Sequence, residues 1–216
     1  MNIPYLPTGT VYGTLLNFQR EHALWAPRMS EAPYKAPPQA PVLYIKTANT
    51  FTPAGHAIAL PPGVAEVEVS ASLGLVAGEG GAVAGCVLFN DVAMPHESYY
   101  RPPVKFRCVD GFLGVGREVV SLDAVGGLAA LGSLSLELRV HGVLKQVVSL
   151  ADLVRDAAIL WADVNAFQTM RPGDVLMFGT DCLADGSRPR ARAGDAVEIT
   201  AAGFKPLTHH FVQEPT

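Results

Sequence analysis

The sequence predicts a mainly β or α+β fold, a mixed β-roll with few helices. Hydrophobic residues make up 49% of the 216 residues and charged residues only 17%, so the chain can bury a sizeable core. Its 21 glycines and 17 prolines favour many short elements joined by turns over a bundle of long helices. Since no repeat or linker divides the chain, residues 1–216 are expected to form one domain, with residues 1–14 as an amino-terminal extension.

The first third of the chain contains short elements separated by proline-rich loops. Residues 11–16 are expected to form a strand, and residues 19–25 one or two helical turns. After a proline-rich loop over residues 29–41, residues 42–45 have the composition of a short buried strand that ends at Lys46.

Residues 66–76 give the clearest periodicity in the chain. Apolar and polar residues alternate along this segment, which is the period of a strand with one apolar and one polar face. Ser70 and Ser72 belong to the polar set and must point the same way. A further strand over residues 84–89 is expected to deliver Asp91 at its end.

The second half of the chain predicts four strands and one helix. Residues 134–140 and 143–148 flank a turn at Gly142, and residues 174–178 and 196–200 each follow a Gly-Asp pair. Ser149, with Asp152 three residues later, resembles a capping box. A helix is therefore expected to begin there and to end near residue 167, before the Pro-Gly breaker.

The most informative motifs lie between residues 90 and 112. They are Asn90-Asp91-Val92, then Glu97-Ser98-Tyr99-Tyr100-Arg101-Pro102, then Arg107-Cys108-Val109-Asp110-Gly111-Phe112. With the proline-rich segment at residues 33–38, this order resembles the fumarylacetoacetate hydrolase family. Within that family, it is most similar to the amino-terminal half of the bifunctional isomerase/decarboxylases of homoprotocatechuate degradation. The resemblance runs from about residue 16 onward and implies that family's mixed β-roll.

The resemblance also implies a chemistry, with one departure. The family acts on oxo- or hydroxydiene carboxylic acids and holds Mg²⁺ or Mn²⁺ with three carboxylates, one of which corresponds to Asp91 as a metal ligand. The other two form a Glu-x-Glu pair on an earlier strand, and here Ser70 and Ser72 occupy those positions. Because neutral hydroxyls are poor ligands for a hard divalent cation, no cofactor is expected in this chain.

The same resemblance implies catalytic residues. Glu21 and His22 correspond to an acid–base pair, although the histidine falls one residue late, and Arg107 takes the place of a lysine. Arginine does not titrate in the useful range, but it can clamp a carboxylate with two hydrogen bonds. The residues alone leave another interpretation open, in which Asp91 caps a turn and the Glu21–His22 pair lies on a surface helical turn.

Four further residues are candidates for substrate binding by the same resemblance: Lys46, Arg101, Lys105 and Thr180. Cations beside a pocket suit a polyanionic substrate. The alternative is that the lysines and arginines are ordinary surface charge or form salt bridges.

Several classes of function are disfavoured. The net charge of −4 and the lack of a basic stripe argue against a nucleic-acid partner. Residues 188–192 are expected to be a solvated loop or strand end despite their arginines. No apolar run approaches the ~20 residues of a membrane span, and the amino terminus does not resemble a signal peptide. The three cysteines form no zinc or disulfide pattern, which is typical of a cytoplasmic protein. Adjacent His209 and His210 are expected to face opposite sides of a strand.

Two functions lead at this stage, and a repurposed hydrolase or lyase of the same fold, acting on a different oxo-acid, is a third. The chain is either an active isomerase/decarboxylase (lyase) subunit for 4-hydroxyphenylacetate degradation, or a metal-less companion of a metal-bearing sister subunit. In the first case the partner is a small oxo- or hydroxydiene carboxylic acid. A homodimer, or a heteromer with the sister subunit, is expected from the resemblance.

Overall fold

The computed structural model describes residues 3–96 and 104–214, which form two β-sheets packed around a shared core. This confirms the expected mainly β fold. In this part of the chain, none of the helices has the length and apolar character needed to cross a membrane.

The elements are short, with two long central strands. In chain order, the strands are β1 (Val11–Leu15), β2 (Val42–Lys46), β3 (Phe51–Pro53), β4 (Ala57–Leu60), β5 (Val67–Ala77), β6 (Val83–Ala93), β7 (Leu113–Val115), β8 (Ser135–Val140), β9 (Val143–Ser149), β10 (Val175–Met177), β11 (Arg190–Ala191), β12 (Ala196–Ala201) and β13 (Leu207–Gln213). The α-helices are α1 (Gln19–Trp25), α2 (Val104–Arg107) and α3 (Ala157–Asn165).

The larger sheet is built around the antiparallel pair β5 and β6. Its strand order is β2-β1-β10-β5-β6-β7-β3, and β11 pairs with β5 beyond the end of β10. The smaller sheet has the order β4-β13-β12-β8-β9. Strands distant in sequence are therefore neighbours, and this brings residues from both ends of the chain to one surface.

The predicted alternation along residues 66–76 is confirmed, but both faces of the strand are buried. On β5 the apolar residues, such as Val69 and Leu73, point into the core between the two sheets. The opposite face of the larger sheet carries a second apolar cluster that includes Val87 and Phe89 of β6. Asp91 follows Phe89 by two residues, so it lies on that second face.

Two boundaries differ from the sequence-based expectation. Residues 11–14 belong to β1, which pairs with β2 and β10, so the amino-terminal extension is shorter than residues 1–14. Asp91 lies inside β6 rather than after it, because β6 stays paired with β5 as far as Ala93 and with β7 as far as Asp91. The turn-capping alternative for Asp91 is therefore wrong.

The helix expected after Ser149 is confirmed only from Ala157 to Asn165, as α3, and its predicted start is wrong. Ser149 caps only one 3₁₀ turn, with its hydroxyl accepting from the backbone of Ala151. The helix does not continue because the next backbone N–H groups bind Asn17 instead. The N–H of Val154 donates to the Asn17 backbone carbonyl, and the N–H of Arg155 donates to Oδ1 of Asn17. A new cap at Asp156 starts α3.

Candidate active site

The site lies on the second face of the larger sheet, where β5 and β6 pair. Their register places Ser70 directly opposite Asp91. Ser72 is two residues along, and its hydroxyl donates to the Gly179 carbonyl at 2.7 Å. A side chain at Gly179 would meet the Thr14 carbonyl at 2.2 Å, and its φ is +96°, so only glycine brings this loop onto the sheet.

Asp91 is buried and is surrounded by three polar side chains. Nζ of Lys46 lies 2.7 Å from Oδ1, and Nη1 of Arg107 donates to Oδ2 at 3.2 Å. The hydroxyl of Tyr44 also donates to Oδ2. Burial by itself raises the pKa of the Asp91 carboxyl, but the two cations and the hydrogen bonds outweigh it and lower that pKa below its ordinary value. Asp91 is therefore a carboxylate.

Lys46 is held as tightly as Asp91. Its ammonium group donates to the backbone carbonyls of Val92, Arg107 and Phe112 at 2.8, 2.7 and 2.9 Å. Burial lowers the pKa of Lys46, and the charge of Asp91 opposes that shift. Because an ammonium has three N–H groups and all three have acceptors, Lys46 has none left for a substrate.

Tyr44 connects the carboxylate to Arg107. Its ring lies over Gly13, where an added Cβ would approach within 2.1 Å of the ring, so glycine makes room for it. The Arg107 guanidinium carbon is 4.4 Å from the ring centroid, a cation–π distance. Burial, followed by the charge of Asp91, raises the pKa of the Tyr44 hydroxyl, which keeps it protonated as a donor.

These residues do not fit a divalent metal ion. Among the described residues, Asp91 is the one carboxylate in this cluster, and its two oxygens are already turned to Lys46, Arg107 and Tyr44. Two positive charges beside the carboxylate would repel a cation. Within residues 3–96 and 104–214, there is also no cluster of three His, Cys, Asp or Glu side chains that could hold a metal.

A cavity of about 490 Å³ opens beside this cluster, and Arg107 is on its wall. Its lining is strongly charged, with four arginines and three carboxylates. The charged and polar lining residues are Glu21, Arg28, Glu68, His96, Arg107, Cys182, Asp185, Ser187, Arg188 and Arg190. A cavity of this size and polarity suits a small charged ligand.

Helix α1 and the turn after it form one side of the cavity. Glu21, Leu24, Trp25 and Arg28 all line it, and their spacing of three and four residues places them on one helical face. Arg20 holds the helix on the loop after β10, because its guanidinium donates to the Cys182 carbonyl at 2.7 Å.

Glu21 is buried and faces the cavity, so the surface-turn alternative is wrong for this residue. One of its oxygens accepts from Arg188, and the other accepts from the backbone N–H of Leu16 at 3.2 Å. His22 is half-buried, and its position next to Glu21 turns it away from the helical face that lines the cavity. The structure therefore does not bring the expected acid–base pair together in the cavity.

The remaining candidates are dispersed. Thr180 is buried, and its hydroxyl is 3.4 Å from Nε of Arg188. Lys105 is exposed on α2, with its ammonium 5.9 Å from the Phe106 ring, and it does not line the cavity. Arg101 lies outside the described residues, as does the motif at residues 97–102.

Sequence reasoning missed Tyr44 and Arg188. Tyr44 was detectable, because strand alternation places it on the same face as Lys46 two residues later. Arg188 does not lie in a solvated loop or strand end as expected: it precedes the short strand β11, and its side chain is largely buried against Glu21. Its neighbours Arg190 and Arg192 pair with Glu66, which immediately precedes β5, and Arg188 and Arg190 line the cavity. No short-range pattern marks these long-range pairs.

The fold and the cavity define a β-roll domain with a charged cavity of small-molecule size. Residues 10–212 match the family described as fumarylacetoacetate (FAA) hydrolase C-terminal, and the chain belongs to this family. The resemblance drawn from the motifs is thereby confirmed.

The similar proteins include bacterial catabolic enzymes. The chain is 33% identical, over 95% of its length, to the 4-hydroxyphenylacetate degradation bifunctional isomerase/decarboxylase of Escherichia coli. It is 32% identical, over the same share, to the homoprotocatechuate catabolism bifunctional isomerase/decarboxylase of Escherichia coli. In both cases it spans 48% of the relative, so it corresponds to about half of each of these proteins.

Solved structures share the fold. The 5-carboxymethyl-2-hydroxymuconate delta-isomerase from Mycobacterium smegmatis is 21% identical, with a TM-score of 0.72 over 99% of this chain and 82% of that one. Maleylpyruvate hydrolase from Sphingobium sp. SYK-6, in complex with manganese(II) and pyruvate, is also 21% identical, with a TM-score of 0.73 over 97% of this chain and 72% of that one. At these identities, the likeness extends to the fold alone.

Proposed function

We propose that this chain is an isomerase/decarboxylase-type subunit of 4-hydroxyphenylacetate degradation that binds its substrate without a divalent metal. The substrate class is an oxo- or hydroxydiene carboxylic acid such as 5-carboxymethyl-2-hydroxymuconate. The observation that carries the proposal is the 490 Å³ cavity, which is lined by four arginines and lies directly beside the Asp91 cluster. A protein that only supported a partner would have no need to keep such a space open.

The cavity residues have separable roles in this proposal. Guanidinium groups bind carboxylates with paired hydrogen bonds and orient the diene between them. An isomerisation then moves one proton from the substrate hydroxyl to a carbon atom. Glu21 is the candidate carrier of that proton, because its carboxylate faces the cavity. A positioned acid–base group contributes ~10²- to 10⁴-fold in rate.

The test is turnover of 5-carboxymethyl-2-hydroxymuconate by the purified chain in EDTA, followed by ultraviolet absorbance. Glu21→Gln is expected to lower kcat about 10²- to 10⁴-fold, because it removes the proton carrier. The matched control is Glu137→Gln, since Glu137 also pairs with an arginine but lies in the smaller sheet. Thermal unfolding verifies that both variants are folded. Turnover that appears only after Mn²⁺ is added would contradict the proposal.

A second function is favoured by a different observation. The family's Glu pair is replaced by Ser70 and Ser72, and the curated relatives are about twice as long as this chain. The chain would then be a companion that packs on a metal-bearing sister subunit. It would be inert alone, would co-elute with the sister in size exclusion, and would raise the sister's activity. A sister that is fully active alone and forms no complex contradicts this alternative.

A further inference from the structure

The cluster around Asp91 is arranged to hold a guanidinium rather than a metal. We propose that Arg107 forms a carboxylate-binding subsite on the cavity wall, and that Asp91 and Tyr44 are positioning residues that hold its guanidinium there. The identity of the natural carboxylate rests on the proposed function, but the subsite itself can be tested with a simple dicarboxylate.

Arg107 has unused hydrogen-bonding capacity. Its side chain is 5% exposed, it lines the cavity, and Nη1 donates to Asp91 at 3.2 Å. Nε is buried and has no acceptor among the described residues. A guanidinium carries five N–H donors in a planar fork. A buried cation with donors left over next to a cavity is a site for a planar anion.

The sign of the local charge favours an anion. Lys46 and Arg107 bring two positive charges to the single carboxylate of Asp91, which leaves one positive charge in the cluster. In the family arrangement implied by the motifs, three carboxylates around a divalent ion leave one negative charge. The sign is therefore inverted here, and a carboxylate can bind directly to the protein, with no metal between them.

The positioning argument follows from the contacts. Asp91 binds one edge of the guanidinium, and the Tyr44 ring packs against its face. The Tyr44 hydroxyl and Lys46 in turn hold the carboxylate. Arg107 thus loses much of the rotamer freedom of a free arginine before any ligand arrives, which lowers the entropic cost of binding.

The experiment measures fumarate binding by calorimetry in EDTA, since fumarate is a rigid, unsaturated dicarboxylate. Wild type is expected to bind one fumarate per chain. Arg107→Lys is expected to weaken binding about 10- to 100-fold, because it removes charged hydrogen bonds with fork geometry. The matched control is Arg139→Lys, a partly exposed arginine of the smaller sheet that pairs with Glu137, and it is expected to bind normally.

Tyr44→Phe tests the positioning role, since it keeps the ring beneath the guanidinium and removes only the hydroxyl. It is expected to weaken fumarate about 3- to 10-fold, as for one hydrogen bond. The affinity of the same variant for chloride, measured by competition with fumarate, should fall by less, because a spherical ion does not depend on the orientation of the guanidinium plane. Equal loss for both anions would overturn the positioning role. Asp91→Asn, if folded, should show the same selective loss.

The outcomes separate this inference from the proposed function. No fumarate binding by the wild type, normal binding by Arg107→Lys, or binding only after Mn²⁺ is added would overturn the subsite. Fumarate binding that depends on Arg107, without any turnover of the muconate substrate, supports the subsite and contradicts the enzymatic proposal alone.

Discussion

Replacement of Lys46 by methionine tests whether the buried charge cluster holds the structure together. Methionine fills a similar volume but brings no charge and no donor. The three carbonyls that accept from Nζ would lose their partner, and Oδ1 of Asp91 would lose the cation 2.7 Å away. All of these groups are buried, so water cannot replace the lost interactions without opening the sheet.

The expected loss follows from the state of Asp91. Breaking a buried ion pair by removing one partner costs about 3–5 kcal/mol, because the other charge stays in a low-dielectric interior. Arg107 and Tyr44 still donate hydrogen bonds to Oδ2 of Asp91 in the variant, so the loss of stability should stay within that range. A domain of this size has only about 5–15 kcal/mol of stability, so Lys46→Met should remove a large part of it.

The assay is equilibrium unfolding in urea at neutral pH, with the free energy of unfolding extrapolated to water. The matched control is Lys105→Met, because Lys105 is exposed on α2 and has no ion pair among the described residues. It should change stability by less than about 0.5 kcal/mol. A loss below about 1 kcal/mol in Lys46→Met, or an equal loss in both variants, would refute the reasoning.

Three other predictions concern pH, packing and metal. Burial lowers the pKa of the His209 imidazole from 6.5 to about 4, so the unfolded chain binds a proton at a higher pH than the folded chain does. The free energy of unfolding should therefore fall by about 3 kcal/mol as the pH drops from 6.5 to 4. The His209→Gln variant should lack this pH dependence of the free energy of unfolding. A Cβ at Gly114 would lie 2.3 Å from the His209 ring, so Gly114→Ala should cost about 1–3 kcal/mol, whereas Gly132→Ala, with open space around it, should be near neutral in thermal unfolding. The electron paramagnetic resonance signal of free Mn²⁺ should keep its amplitude when the chain is added, because the Asp91 cluster does not fit a cation; a stoichiometric loss of signal would contradict that.

Local periodicity in the sequence predicted the strands well, but it did not predict hydrogen bonds between residues that are distant in sequence. Alternation along residues 66–76 gave β5 and the common face of Ser70 and Ser72. The opposite facing of His209 and His210 is confirmed, with the first buried and the second exposed. The helix start at Ser149 failed because its competitor, Asn17, lies more than 130 residues away in sequence. A local capping pattern contains no information about such a partner.

The candidate site shows the same division. Ser70 and Ser72, at the positions that the resemblance assigns to the family's Glu pair, were visible in the sequence, since they are two positions of one strand. The ion pairs of Asp91 could not be predicted from the sequence, because its partners Lys46 and Arg107 come from β2 and α2, which meet only in the folded protein. Lys46 and Arg107 were both candidates from the sequence, but only the geometry shows that their charges lie beside Asp91.

The substitutions at the site are physically coupled. The resemblance assigns Ser70 and Ser72 to the positions of two carboxylates. Asp91 alone could then not compensate a divalent ion, and a buried Asp91 without any cation would be costly. Lys46 and Arg107 supply that compensation from the chain itself, with Tyr44 completing the hydrogen bonds. In the arrangement implied by the resemblance, this face of the sheet holds a metal with carboxylates, whereas here two cations surround one carboxylate. That difference in charge, together with the cavity beside it, is the physical reason for proposing a carboxylate ligand at this site.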